Sequence, residues 1–177
     1  MLTLTSKAVD SASESKDSWS VKGYISDPDA DVVDGIAEYG LDAELQDSAL
    51  DTLDGVTLDP EECKTLNNNK GIICKTTGAR FSVRKTNRVP KDAIAAAQKA
   101  HNKTSHSASS YYKVSGVFRR QDFAEDPVLM PLTAVLTVDD SSISDISPAC
   151  TVKAGGRMNK YYCKHGAAPQ TKAPTSK

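Results

Sequence analysis

Few residues in this 177-residue chain are equipped for chemistry, and their spacing argues against catalysis. His101, His106 and His165 are the only histidines, and none stands at a spacing that pairs it with a nucleophile or a metal ligand. Four cysteines form two local pairs, Cys63 with Cys74 and Cys150 with Cys163. A zinc site calls for two-residue spacings that neither pair has, so no metal is expected. Three disulfide pairings are open, and the local one is the simplest. The acidic run Asp27, Asp29, Asp31 and Asp34 offers carboxylate oxygens to a hard cation. It lacks the closing glutamate and the placed glycine of a calcium loop, and a solvated acidic loop is the plainer reading. Gly155-Gly156 lacks the following Lys-Ser/Thr of a phosphate cradle. Asn102-Lys103-Thr104 is a glycosylation acceptor only in a secreted eukaryotic protein. These patterns predict a protein that is not an enzyme and needs no cofactor.

The basic residues are the better lead. Arg80 and Arg84 share one parity on a segment of alternating hydropathy, and Lys113 and Arg119 share one on another, with Tyr111 in line. Two such strands in one sheet would present cations and an aromatic ring to a phosphate backbone and its bases. The plainer alternative is a solvated strand face.

Positioning these groups requires strands. Residues 18–25 alternate, with Trp19, Val21 and Ile25 on one face and Ser18, Ser20, Lys22 and Tyr24 on the other. Residues 79–86 place Phe81 and Val83 opposite Arg80, Ser82 and Arg84, and residues 110–120 place Tyr112, Val114 and Phe118 opposite Tyr111, Lys113, Val117 and Arg119. In 129–138, Met130, Leu132, Ala134, Leu136 and Val138 form an apolar face. Cys63 and Cys74 flank a hairpin whose turn, Asn67 to Gly71, supplies residues that tolerate positive backbone angles; Cys150 and Cys163 flank a second around Gly155-Gly156. Leu41, Leu45, Ala49, Leu50 and Leu53 recur at three-to-four spacing and predict a short amphipathic helix, and Pro90 opens an alanine-rich helix over 91–101. The expected class is therefore α+β and β-rich: an antiparallel sheet with hairpins and one or two short helices.

With 38% hydrophobic residues the core must be thin, which suits a sheet with one wet face. The organisation expected is one β-rich domain over 1–165, with an acidic stretch at 26–62, followed by an extended tail, 166–177. Residues 1–60 carry fourteen Asp/Glu against three Lys/Arg, and 61–177 carry nine against nineteen. Such polarity lets the two parts attract each other within the fold, attract neighbouring subunits, or serve a polyanion. No apolar stretch approaches a membrane span, and no secretion signal is visible at the N-terminus.

The order of elements resembles the coat proteins of single-stranded RNA bacteriophages. The likeness rests on the Leu2-Thr-Leu4 start, a small strand ending near Val33-Asp-Gly-Ile-Ala-Glu-Tyr39, then Phe81-Ser-Val-Arg-Lys85, Tyr112-Lys-Val-Ser-Gly-Val-Phe118 and Leu136-Thr-Val138, about a third of the chain. It implies an N-terminal hairpin followed by an antiparallel sheet whose inner face binds the genome. Arg80, Arg84, Lys113 and Arg119 would face single-stranded RNA, and the subunits would assemble into a virion shell. The acidic stretch 40–62 and the helix 91–101 are extra to that pattern, and the end lacks the two helices that lock the family's dimer. The competing expectation is a small secreted, disulfide-stabilised effector or toxin-like domain that binds a host protein.

Overall fold

The structure is a computed structural model that describes residues 2–11, 17–27, 31–88, 110–121, 130–139, 141–146, 149–155 and 158–164. The helix expected over 91–101 and the C-terminal tail lie outside the described residues, as do all three histidines.

Alternating hydropathy becomes strands wherever one face can be buried. The described elements in chain order are β1 (Leu2–Ser11), β2 (Asp17–Asp27), α1 (Val32–Tyr39), β3 (Leu41–Gln46), β4 (Thr52–Leu58), β5 (Cys63–Thr65), β6 (Gly71–Lys75), β7 (Ala79–Lys85), β8 (Ser110–Gln121), β9 (Thr133–Val138), β10 (Ser141–Ile146), β11 (Ala149–Gly155) and β12 (Met158–Lys164). Eight strands form one antiparallel sheet in the order β11-β12-β1-β2-β8-β7-β6-β5, and four form a second in the order β10-β9-β3-β4. The β-rich α+β class is what the alternation predicts.

Trp19, Val21, Ile25, Phe81, Val83, Tyr112, Val114 and Phe118 line one face of the large sheet and join Leu41, Ala43, Leu45, Ala134 and Leu136 of the small sheet, with Val33 and Ile36 of α1, in one buried cluster. Trp19 stacks on Phe118 with ring centroids 4.0 Å apart. The small sheet and α1 thus cover one face of the large sheet, and burial of these side chains supplies most of the stabilisation.

The acidic stretch folds differently from the expectation. The amphipathic helix predicted from Leu41 to Leu53 is two strands, β3 and β4, and the small strand that the resemblance implied near Val33–Tyr39 is α1. Locally, Leu41, Ala43 and Leu45 alternate with Asp42, Glu44 and Gln46, and this period of two places every apolar residue in the core while the backbone pairs with β9. In α1 the three-residue step from Val33 to Ile36 buries both. Gly40 ends the helix at φ 82°, where a Cβ would stand 2.5 Å from the Leu58 carbonyl oxygen, and its N–H donates to the Ile36 carbonyl.

Both cysteine pairs are disulfides within the chain, Cys63–Cys74 and Cys150–Cys163, with Cα atoms 3.9 and 4.0 Å apart. Each joins directly opposite residues of a hairpin, β5 with β6 and β11 with β12. Those hairpins are the two opposite margins of the large sheet. In the first turn, Asn68 and Asn69 take the left-handed angles, φ 58° and 51°. Gly71 serves close packing instead, since a Cβ there would lie 2.3 Å from the Val83 carbonyl oxygen.

Candidate nucleic-acid interface

Strand register fixes which side chains share the uncovered face of the large sheet. Reading across neighbouring strands, Lys75 stands opposite Arg80, Arg80 opposite Val117, and Val117 opposite Ser20. In the next row Lys64, Ile73, Ser82, Ser115 and Lys22 follow one another. Gly71, Arg84, Lys113 and Tyr24 make a third row, and Arg119 stands opposite Ser18. On β12, Lys160 and Tyr162 have the same parity, because their neighbours Tyr161 and Cys163 are buried on the other face.

Lys22, Lys64, Lys75, Arg80, Arg84, Lys113 and Arg119 are exposed, and Lys160 is half-buried. Among the described residues no Asp or Glu stands in these rows; Asp17, buried at the end of β2, lies at a register shift opposite Gln121. Along β7, Arg80 and Arg84 are about 13 Å apart, along β8 Lys113 and Arg119 about 20 Å, and cations directly opposite on neighbouring strands about 4.8 Å. Tyr24, Tyr111 and Tyr162, all half-buried, interleave with them. Arg84 and Lys113 are directly opposite, and so are Lys75 and Arg80. Like charges placed this way repel, and the repulsion is relieved by anions lying on the face.

The other layer carries the opposite sign. Asp42 and Glu44 alternate outward on β3, where the Thr57 hydroxyl donates to Asp42 at 2.7 Å and the Gln46 amide donates to Glu44 at 3.0 Å. Asp34 and Glu38 are exposed on α1. Asp54 of β4 turns toward the large sheet, where its carboxylate accepts the indole N–H of Trp19. Burial pushes the Asp54 carboxyl above its ordinary value, against the opposing pull of hydrogen bonds from Trp19 and the Gly55 N–H, while the charge of Asp17 adds to the rise.

All four basic residues singled out in the sequence, Arg80, Arg84, Lys113 and Arg119, fall on this one face. Lys22, Lys64, Lys75 and Lys160 extend it. The signal for Lys22 was its parity against Trp19 and Val21, but only the β2–β8 pairing brings it beside Ser115. Among the described residues no group of three His, Cys, Asp or Glu is placed to hold a metal ion, and no helix is long and apolar enough to cross a membrane. Comparison with protein-family models, curated proteins and solved structures returned no match.

Proposed function

We propose that this chain is a self-assembling structural subunit of a virus or phage particle, with the basic face of its large sheet turned toward packaged single-stranded RNA. The observation that carries the reading is the pair of like-charge register contacts, Arg84 opposite Lys113 and Lys75 opposite Arg80, in rows that hold no Asp or Glu among the described residues. Such a surface is suited to a polyanion, and the interleaved tyrosines offer rings to unpaired bases. The acidic outer layer supports a fixed orientation of the subunit, basic side to nucleic acid. The resemblance to single-stranded RNA phage coat proteins points the same way, since that family also lays RNA on an antiparallel sheet. No catalytic role is part of this reading.

The test is assembly and content. Purified chain examined by size-exclusion chromatography and electron microscopy forms particles whose absorbance reports nuclease-protected RNA, and Arg84→Glu with Lys113→Glu lowers that content. A monomer at high concentration with no particles overturns the shell reading. The disulfides at both sheet margins favour a second reading, a secreted effector or toxin-like domain, for which a stable monomer is the expected state.

A further inference from the structure

Where β7 ends and β8 begins lies a cleft of about 570 Å3 lined by Asn68, Asn69, Lys70, Lys85, Asn87 and Tyr112. Lys85 stands opposite Tyr112, and Tyr112 opposite Ile25. Both are one residue away from Arg84 and Lys113, and so belong to the face that buries Val83 and Val114, not to the basic face. The Lys85 N–H donates to the Lys70 carbonyl at 2.8 Å, which carries the Gly71–Arg84 pairing one step further and sets Lys70 opposite Lys85. Two ammonium-bearing side chains thus leave the sheet about 5 Å apart, on the side of the core. The Asn69 amide donates to Asp34 of α1 at 2.9 Å and ties the β5–β6 turn to the helix.

The volume falls within the roughly 300–1,000 Å3 of small-molecule sites. Tyr112 is buried and belongs to the floor, while Lys70, Lys85, Asn68 and Asn87 are exposed around it. Among the described residues no carboxylate lines the cleft, and none forms an ion pair with Lys70 or Lys85. Cations of one sign gathered in a concave site concentrate anions. Their mutual repulsion is relieved most by a ligand with two negative charges. A phosphate monoester carries about −1.5 to −2 at neutral pH with three acceptor oxygens, whereas a carboxylate carries a single charge. Each carboxamide brings a donor and an acceptor side by side, which suits hydroxyl groups that do both.

We propose that this cleft binds a small phosphorylated polyol, its phosphate between Lys70 and Lys85 and its hydroxyl groups on the carboxamides of Asn68 and Asn87. The site is separate from the basic face and does not depend on that face binding RNA. Its test is isothermal titration calorimetry of the purified chain with three probes: glucose 6-phosphate, inorganic phosphate and glucose. Glucose 6-phosphate is expected to bind about tenfold more tightly than inorganic phosphate, the worth of one or two hydroxyl hydrogen bonds, and glucose not to bind measurably. Lys70→Gln and Lys85→Gln should each weaken glucose 6-phosphate at least about tenfold, as loss of a charged hydrogen bond does. Asn68→Gly, which keeps the left-handed backbone, and Asn87→Ala should reduce its advantage over inorganic phosphate. Lys22→Gln with Lys64→Gln, on the basic face, should leave all three titrations unchanged. Failure of the unmodified chain to bind glucose 6-phosphate overturns the proposal. So does inorganic phosphate binding as tightly, glucose binding as tightly, or a loss in the basic-face variant equal to that in the cleft variants. None of these results bears on RNA content or particle assembly.

Discussion

Arg84 and Lys113 stand directly opposite each other on neighbouring strands, both exposed and on the same face. This arrangement separates stability from binding. Lys113→Glu replaces a repulsive cross-strand pair with an attractive one, so the isolated fold gains about 0.2–1 kcal/mol at low salt, and the gain shrinks as salt screens exposed charges. RNA affinity moves in the opposite direction, with a shallower dependence on salt concentration. Thermal denaturation at two salt concentrations, beside a binding titration, checks both halves. A variant that loses stability and affinity together would instead place Lys113 in a structural role.

The disulfides close loops of 11 and 13 residues in sequence separation at opposite margins of the large sheet. Chain entropy assigns each about 3 kcal/mol. The Cys63–Cys74 bridge matters locally as well, because β5 is three residues long and, among the described strands, pairs with β6 alone. The double variant Cys63→Ser with Cys74→Ala is expected to lower unfolding free energy by about 3 kcal/mol. Hydrogen exchange should rise over residues 63–75 and stay unchanged over β2 and β8, at the sheet's centre. Exchange that rises evenly over all strands would count against a local staple.

What could be read from the sequence was period-two burial. Trp19, Val21, Phe81, Val83, Val114 and Phe118 are buried where alternation places them, because a strand with one wet face writes its geometry into hydropathy. The failure lay at Leu41, Leu45, Ala49, Leu50 and Leu53, whose three-to-four spacing imitates a helix. The competing period, Leu41, Ala43 and Leu45 against Asp42, Glu44 and Gln46, is only six residues long and wins because β9 offers a partner on one side and β4 on the other. Pairing between distant strands is set by tertiary packing, so the adjacency of β2 to β8 that brings Lys22 into the basic face was not legible.

Leu50 is the residue least suited to its place. It sits in the β3–β4 turn with φ 69° and 68% of its surface exposed. The turn is fixed by Asp47, buried at 2% exposure, whose carboxylate accepts the N–H groups of Ala49 at 2.8 Å and Asp51 at 3.1 Å. A left-handed backbone costs an ordinary L-residue about 1–2 kcal/mol, and asparagine tolerates it better. Leu50→Asn is therefore expected to raise stability by about 0.5–1 kcal/mol, whereas Asp47→Ala, which leaves two N–H groups without their acceptor, lowers it by about 1–3 kcal/mol. Denaturant midpoints of the two variants should move in opposite directions.

Asp54 and Trp19 join the two sheets, and their contact predicts a pH dependence of definite sign. Trp19 is the only tryptophan and is almost wholly buried against Phe118. Its N–H donates to a half-buried carboxylate whose proton affinity is raised above the ordinary value of 3.8, with burial the largest cause. A carboxyl that holds its proton more tightly when folded than when unfolded contributes stability at low pH. That contribution is lost as pH rises through the raised folded value. Asp54→Asn retains an oxygen acceptor for the indole and removes the buried charge, so it should be more stable than the unmodified chain at neutral pH. The advantage should narrow as pH falls toward the point where Asp54 protonates. Asp54→Ala strands the indole N–H and is expected to lose about 1–3 kcal/mol. Because one indole supplies all the tryptophan emission, its fluorescence should titrate with an apparent pKa above 3.8 in the unmodified chain and stay flat over the same range in Asp54→Asn. Titration at or below the ordinary value would mean that the hydrogen bonds from Trp19 and Gly55 outweigh burial, and the stability of the Asp54→Asn variant would then fall below that of the unmodified chain.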